Sequence, residues 1–117
     1  MYCQAVDWYA FGILLYELIY GRTPFSQTDD ICQIFKKISV GKILFPRVFD
    51  KDAKSLIKKL KDVDLTKRYG HIKNSKDLIK GHRFFKGLDW DELILYKMKA
   101  PFLPDSSDQE YDKLTCK

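Results

Sequence analysis

Two carboxylates stand apart in an otherwise apolar stretch: Asp7 and Glu17, within Val6 to Phe25, VDWYAFGILLYELIYGRTPF. A helix that is apolar on every side belongs inside a larger structure. An unpaired buried carboxylate is costly enough that proteins avoid it or neutralise it. Asp7 and Glu17 are therefore expected to hold partners or to open onto a crevice. Simpler roles compete with this. Asp7 can cap the start of its own helix, and Glu17 can pair with Arg22.

The remaining residues with reactive side chains offer less. His71 and His82 have no cysteine, serine or carboxylate at a recognisable spacing, and His82 is expected to pack with Phe84 and Phe85. Cys3, Cys32 and Cys116 are odd in number and far apart. They show neither metal-ligand spacing nor an even disulfide framework, so they read as reduced intracellular thiols, and no metal site is expected. A formal net charge of +5 raises acidic surfaces or nucleic acid as partners. The lysines from Lys51 to Lys86 alternate with apolar positions at helical spacing, which describes a solvated helix face. Aromatics placed to stack on bases are not evident, so no nucleic-acid partner is expected.

The elements that must position Asp7 and Glu17 are helices. The first runs from about Ala5 to Tyr20 and stops at Gly21. It lacks the basic start and cleavage site of a signal peptide. Between Asp7 and Glu17 it is also well short of the roughly 20 residues needed to cross a bilayer, so it reads as a buried helix of a soluble protein with no membrane partner. Asp29 or Asp30 can cap a second helix, with Ile31, Ile34, Phe35 and Ile38 on one stripe and an end at Gly41. A third follows Asp50 or Asp52, with Ala53, Leu56, Ile57 and Leu60 inside and Lys54, Lys58, Lys59 and Lys61 outside. A fourth spans about Ser75 to Lys80, and Trp90, Leu93, Ile94 and Tyr96 suggest one more apolar turn. From Ala100 the chain is extended. No strand alternation or internal repeat is present, so the fold class is all-α. A chain of 117 residues suffices for one core.

Several strings in this order carry a resemblance. Ala5-Val6-Asp7-Trp8-Tyr9-Ala10-Phe11-Gly12, followed by Tyr16-Glu17 and by Gly21-x-x-Pro24-Phe25, resembles helix F of eukaryotic protein kinases. Asp64-Leu65-Thr66-Lys67-Arg68 is similar to their loop between helices H and I, and His82 to Phe85 to the motif that closes the kinase fold. Phe45-Pro46, Asp89-Trp90 and Lys99-Ala100-Pro101-Phe102-Leu103-Pro104 narrow the likeness to AGC serine/threonine kinases of the cAMP-dependent type.

The resemblance implies an incomplete helical C-terminal subdomain over residues 1–87, helices F to I, and the start of an AGC tail over 88–117. The Gly-rich loop, Val-Ala-Ile-Lys, His-Arg-Asp, Asp-Phe-Gly and Ala-Pro-Glu motifs do not occur in this sequence. Those parts cradle ATP, bind magnesium and accept the substrate proton. The chain is thus expected to be a segment of a longer kinase, with no catalytic residue and no cofactor of its own. ATP and Mg²⁺ would serve the complete enzyme, in a cytoplasmic or nuclear setting.

By the same resemblance Asp7 anchors the backbone of the catalytic loop. Arg68 pairs with the glutamate of Ala-Pro-Glu, a partner suited to a planar guanidinium. Without that glutamate, Arg68 must be solvated or find another acid. Glu17 is implied to contact an arginine two residues before the phosphoacceptor of a basic protein substrate. Arg22, standing where relatives carry an aromatic residue, could compete for it. Ile31 to Val40 matches helix G, which docks regulatory subunits and inhibitors. Phe35 is the expected contact there, and the rest of the stripe is expected to be core. The rival reading is a short non-catalytic module that binds such partners through this face. Ser107 to Tyr111 keeps the tail's acidity without its phenylalanine.

Overall fold

The computed structural model describes residues 4–25 and 30–104. Cys3, Cys116, Asp29 and the Ser107–Tyr111 segment lie outside them. The described residues form helices α1 (Gln4–Tyr20), α2 (Ile31–Val40), α3 (Lys51–Leu60), α4 (Ser75–Lys80) and α5 (Trp90–Ile94), with a 3-10 turn at Arg83–Phe85. No strand occurs among them. The all-α expectation holds. By its contacts the chain divides into residues 1–86 and 87–117.

Local chemistry sets the helix ends. Asp30 caps α2 by accepting from the Cys32 N–H at 3.0 Å, and the Gly41 N–H closes it on the Lys37 carbonyl at 3.0 Å. Of the two candidates for α3, Asp50 takes the cap, its carboxylate accepting from the N–H groups of Asp52 and Ala53. Such a cap satisfies donors that the helix leaves open and contributes about 1 kcal/mol. α1 ends where the Gly21 N–H meets the Glu17 carbonyl at 2.7 Å. In the second unit, Asp89 caps the short α5.

The core of the first unit is the crossing of α1 and α3. Leu56, Ile57 and Leu60 of α3 are fully enclosed. They pack with Leu15 and Tyr16 of α1, Phe49 and Ile79. Each such side chain gains about 1.5–3 kcal/mol on leaving water. The two helices approach so closely that a Cβ at Gly12 would stand 3.0 Å from the Leu60 Cβ. A second close approach brings the 61–74 loop against α1. There Gly70, at φ +102°, leaves no room for a side chain beside Trp8. Aromatic rings tile the outer margin of the core, with Tyr16 against Phe45 and Phe49 at centroid distances of 5.7 and 4.7 Å.

Three expectations need correction. α1 is not buried on every side: Val6, Leu14, Leu18 and Tyr20 are exposed, because α3 covers one face only. The α2 stripe is not core. No residue of α2 is buried: Ile31, expected inside, is 67% exposed, and Phe35, set apart from the core, is 64% exposed. Lys61, placed outside by its charge, is buried at 8% exposure. In the second unit the apolar turn forms, but Leu93, Ile94 and Tyr96 are exposed.

His82 is buried and bonds at both ring nitrogens. Its Nδ1 accepts from the Phe84 N–H at 3.1 Å, capping the 3-10 turn. Nε2 therefore carries the proton and faces the Ser55 hydroxyl at 3.2 Å. This tautomer cannot draw a proton from Ser55, so the pair is structural. Burial, aided by Lys59 and Arg83, pushes the His82 pKa below its ordinary 6.5. With the folded value depressed, the unfolded chain binds the proton more readily. The stability from neutral His82 is present above pH 6.5 and lost as pH falls through the folded value. Urea unfolding from about pH 7.5 to about pH 5.5 should show this loss. His82→Asn, which keeps a cap acceptor without titrating there, should lose less; equal slopes for the two proteins would refute the assignment.

Candidate functional site

Asp64 organises the turn that delivers Arg68. Its carboxylate accepts from the Thr66 hydroxyl at 2.6 Å and the Thr66 N–H at 3.0 Å. Those bonds hold its pKa below the usual range. The Asp64 carbonyl accepts from the N–H groups of Lys67 and Arg68. The result is a tight loop with Arg68 turned back on α1.

Arg68 is partly exposed and pairs with no acid among the described residues. Its guanidinium lies over the Tyr9 ring at 5.1 Å from the centroid, and its Nε donates to the Asp62 carbonyl at 2.7 Å. A planar cation suits both an aromatic face and a carbonyl. Burial pushes the Tyr9 phenol up, with the Arg68 charge pulling the other way. Beside them is a cavity of about 320 Å³ lined by Val6, Tyr9, Ile38, Ser39, Lys61, Val63 and Arg68. Among the described residues, two cations and no carboxylate line it. Lys61 turns its ammonium to the Gly41 carbonyl, and burial lowers its pKa.

The remaining candidates are spread over the first unit. Asp7 and Glu17 are both exposed on α1, so neither is a buried acid in search of compensation. Asp7 makes no side-chain hydrogen bond or ion pair among the described residues, and Glu17 makes none with Arg22. Phe35 projects from α2, also exposed. The structure thus places Arg68 on Tyr9 but does not gather Asp7, Glu17, Arg68 and Phe35 into one pocket. Among the described residues no group of histidine, cysteine, aspartate or glutamate could hold a metal ion. No described helix is long and apolar enough to cross a membrane. Cys32 is a free, exposed thiol.

Reading the residues for charge missed Lys61 as a buried lining group. Its signal was positional: 61 continues the 53, 56, 57, 60 stripe of α3, so its stem lies along the core edge.

The helix crossing, the Asp64–Arg68 turn and the His82–Phe85 cap all lie within one stretch that a known family covers. The protein kinase domain family matches residues 1–85, and the chain belongs to that family. It is 47% identical over 102 residues to cAMP-dependent protein kinase catalytic subunit 3 of Drosophila melanogaster, covering 87% of this chain and 17% of the relative. To the human cAMP-dependent protein kinase catalytic subunit PRKX it is 46% identical over 101 residues, covering 86% and 28%. To the cAMP-dependent protein kinase catalytic subunit of Dictyostelium discoideum it is 43% identical over 117 residues, covering 94% and 18%. The chain spans less than a third of the length of these relatives.

The stacked arginine is directly testable. Arg68→Lys keeps the charge and removes the plane, and should cost about 1–2 kcal/mol in urea unfolding. A double-mutant cycle with Tyr9→Leu should recover part of that loss as coupling. Zero coupling would mean that Tyr9 is not the shelf.

Proposed function

We propose that this chain is the C-terminal-lobe segment of a cAMP-dependent-type serine/threonine kinase, and that its share of the work is docking and scaffolding. In the complete enzyme the γ-phosphoryl of ATP would pass, with Mg²⁺, to a serine or threonine of a protein substrate. The residues present here do not fit ATP or Mg²⁺. They include no phosphate-cradling loop, and the described acids and histidines form no metal-holding group. No chemical step is therefore assigned to this chain alone.

Glu17 carries the reading. Its carboxylate is exposed on α1, while the opposite face of the helix is pinned against α3. That combination gives a fixed acid in open solvent, which suits a cation on an incoming peptide. Arg22, the nearest competitor, forms no ion pair with it among the described residues. Asp7, equally exposed, is left to accept from the catalytic-loop backbone, and the cavity beside Arg68 to receive the glutamate of Ala-Pro-Glu. Both partners would come from residues this chain does not contain.

Residues 4–104 exchanged into a complete cAMP-dependent kinase should preserve activity on a peptide with arginine two residues before the phosphoacceptor. Glu17→Gln in that chimera should raise KM for the peptide about tenfold or more. It should leave a peptide lacking that arginine nearly unaffected. Equal effects on both peptides would remove Glu17 from substrate recognition.

A second reading rests on α2. Ile31, Phe35 and Ile38 share one face of α2 and are all exposed, an apolar face suited to a regulatory subunit or inhibitor. Phe35→Ala should weaken capture of such a subunit by tenfold or more, on the order expected of an aromatic anchor. Retention of full affinity would leave α2 without this role.

A further inference from the structure

The turn after α1 and the C-terminal end of α2 enclose a pocket unlike the others in this unit. It holds about 130 Å³ and is lined by Tyr16, Tyr20, Arg22, Thr23, Pro24, Lys37, Lys42 and Leu44. Three of these residues are cations from three places in the sequence, and among the described residues no carboxylate lines the pocket. Among the described residues, none of Arg22, Lys37 and Lys42 forms an ion pair. Three like charges around one small cavity repel one another unless an anion shares them.

The floor supplies no such charge. The Tyr16 hydroxyl donates to the Leu44 carbonyl at 2.6 Å, and burial, reinforced by Tyr20, pushes its phenol up. It stays neutral at ordinary pH. The C-terminal end of α2 carries a partial negative charge of about half a unit, too small to balance three cations. Part of it is already engaged, by the Gly41 N–H on the Lys37 carbonyl and the Lys61 ammonium on the Gly41 carbonyl.

We propose that this pocket binds the phosphate of a phosphorylated serine or threonine side chain on a peptide partner, with Arg22, Lys37 and Lys42 as its ligands. Size and charge favour that choice. The cavity, at about 130 Å³, is small, on the scale of a single phosphoryl group. A phosphate monoester carries about −1.5 to −2 charges at neutral pH and three acceptor oxygens. That matches three cationic donors better than one carboxylate does. Pro24 and Leu44 give the walls an apolar component against which a peptide stem can rest. The proposal does not depend on Glu17 or on the kinase reading, since only this pocket's own cations enter it.

The test is fluorescence anisotropy with the 117-residue chain and a labelled phosphoserine peptide flanked by alanines. The phosphorylated peptide should bind about tenfold or more tightly than its unphosphorylated form. Arg22→Gln and Lys42→Gln should each weaken it by several-fold to about tenfold. Lys73→Gln removes an equal charge elsewhere and should change little. Far-UV circular dichroism checks that each variant is folded; should Arg22→Gln unfold, Lys42→Gln carries the comparison. Amide shifts on titration should centre on Gly21, Thr23 and Lys42. Equal affinity for both peptides would overturn the proposal, as would equal losses for Lys73→Gln and Arg22→Gln. Binding of inorganic phosphate alone as tightly as the phosphopeptide would overturn the peptide as ligand.

Discussion

The crossing of α1 on α3 is the contact on which everything else in the first unit depends. It is possible because Gly12 has no side chain at the point where Leu60 arrives. That closeness lets Leu15 and Tyr16 reach Leu56 and Ile57. Interiors are packed to the density of organic crystals, so an added methyl group at such a point requires Leu60 to give way by a few tenths of an ångström. The rest is arranged around this seam. Phe49 and Ile79 close its flanks, the 61–74 loop folds back onto Trp8, and the His82 turn fastens below α3.

A helix held on one side only becomes a platform. The free face of α1 presents Asp7 and Glu17 from a backbone held by α3, together with exposed Val6, Leu14 and Leu18. Such an apolar surface is unfavourable in isolation and marks a place for another structure to rest. The same asymmetry explains how the acids can be open to water without cost. Their partners need not lie within this chain, because water already solvates them.

The cations obey a related rule. With more bases than acids, a net charge of +5, some lysines and arginines cannot pair with carboxylates. Arg68 settles on an aromatic face and a carbonyl, Lys61 on a carbonyl, and Lys54 and Lys58 near the ring of Phe45. Where rings and carbonyls do not absorb the charge, as at Arg22, Lys37 and Lys42, it collects around a cavity. Surface ion pairs add little: Arg83–Asp52 at 3.5 Å is largely exposed and contributes at most a small fraction of the stability.

Helix positions, ends and family were legible from the residues themselves. The stop at Gly21, the α3 stripe and an aspartate cap on α2 and α3 are short-range effects, decided by neighbours within a turn or two, although paired aspartates left the capping residue itself open. Exposure was not legible. α1 is apolar almost throughout, so its pattern has no contrast from which to read the side that faces α3, or that Asp7 and Glu17 lie on its open side. The α2 stripe had ideal spacing, yet spacing fixes only a common face and leaves its covering undecided. Lys61 was misjudged because charge outweighed its place on the stripe. The sequence by itself determined which segments coil and which family they belong to. Only the tertiary structure decided which faces meet, because that depends on contacts between residues far apart in the chain, such as Gly12 with Leu60 and Tyr9 with Arg68.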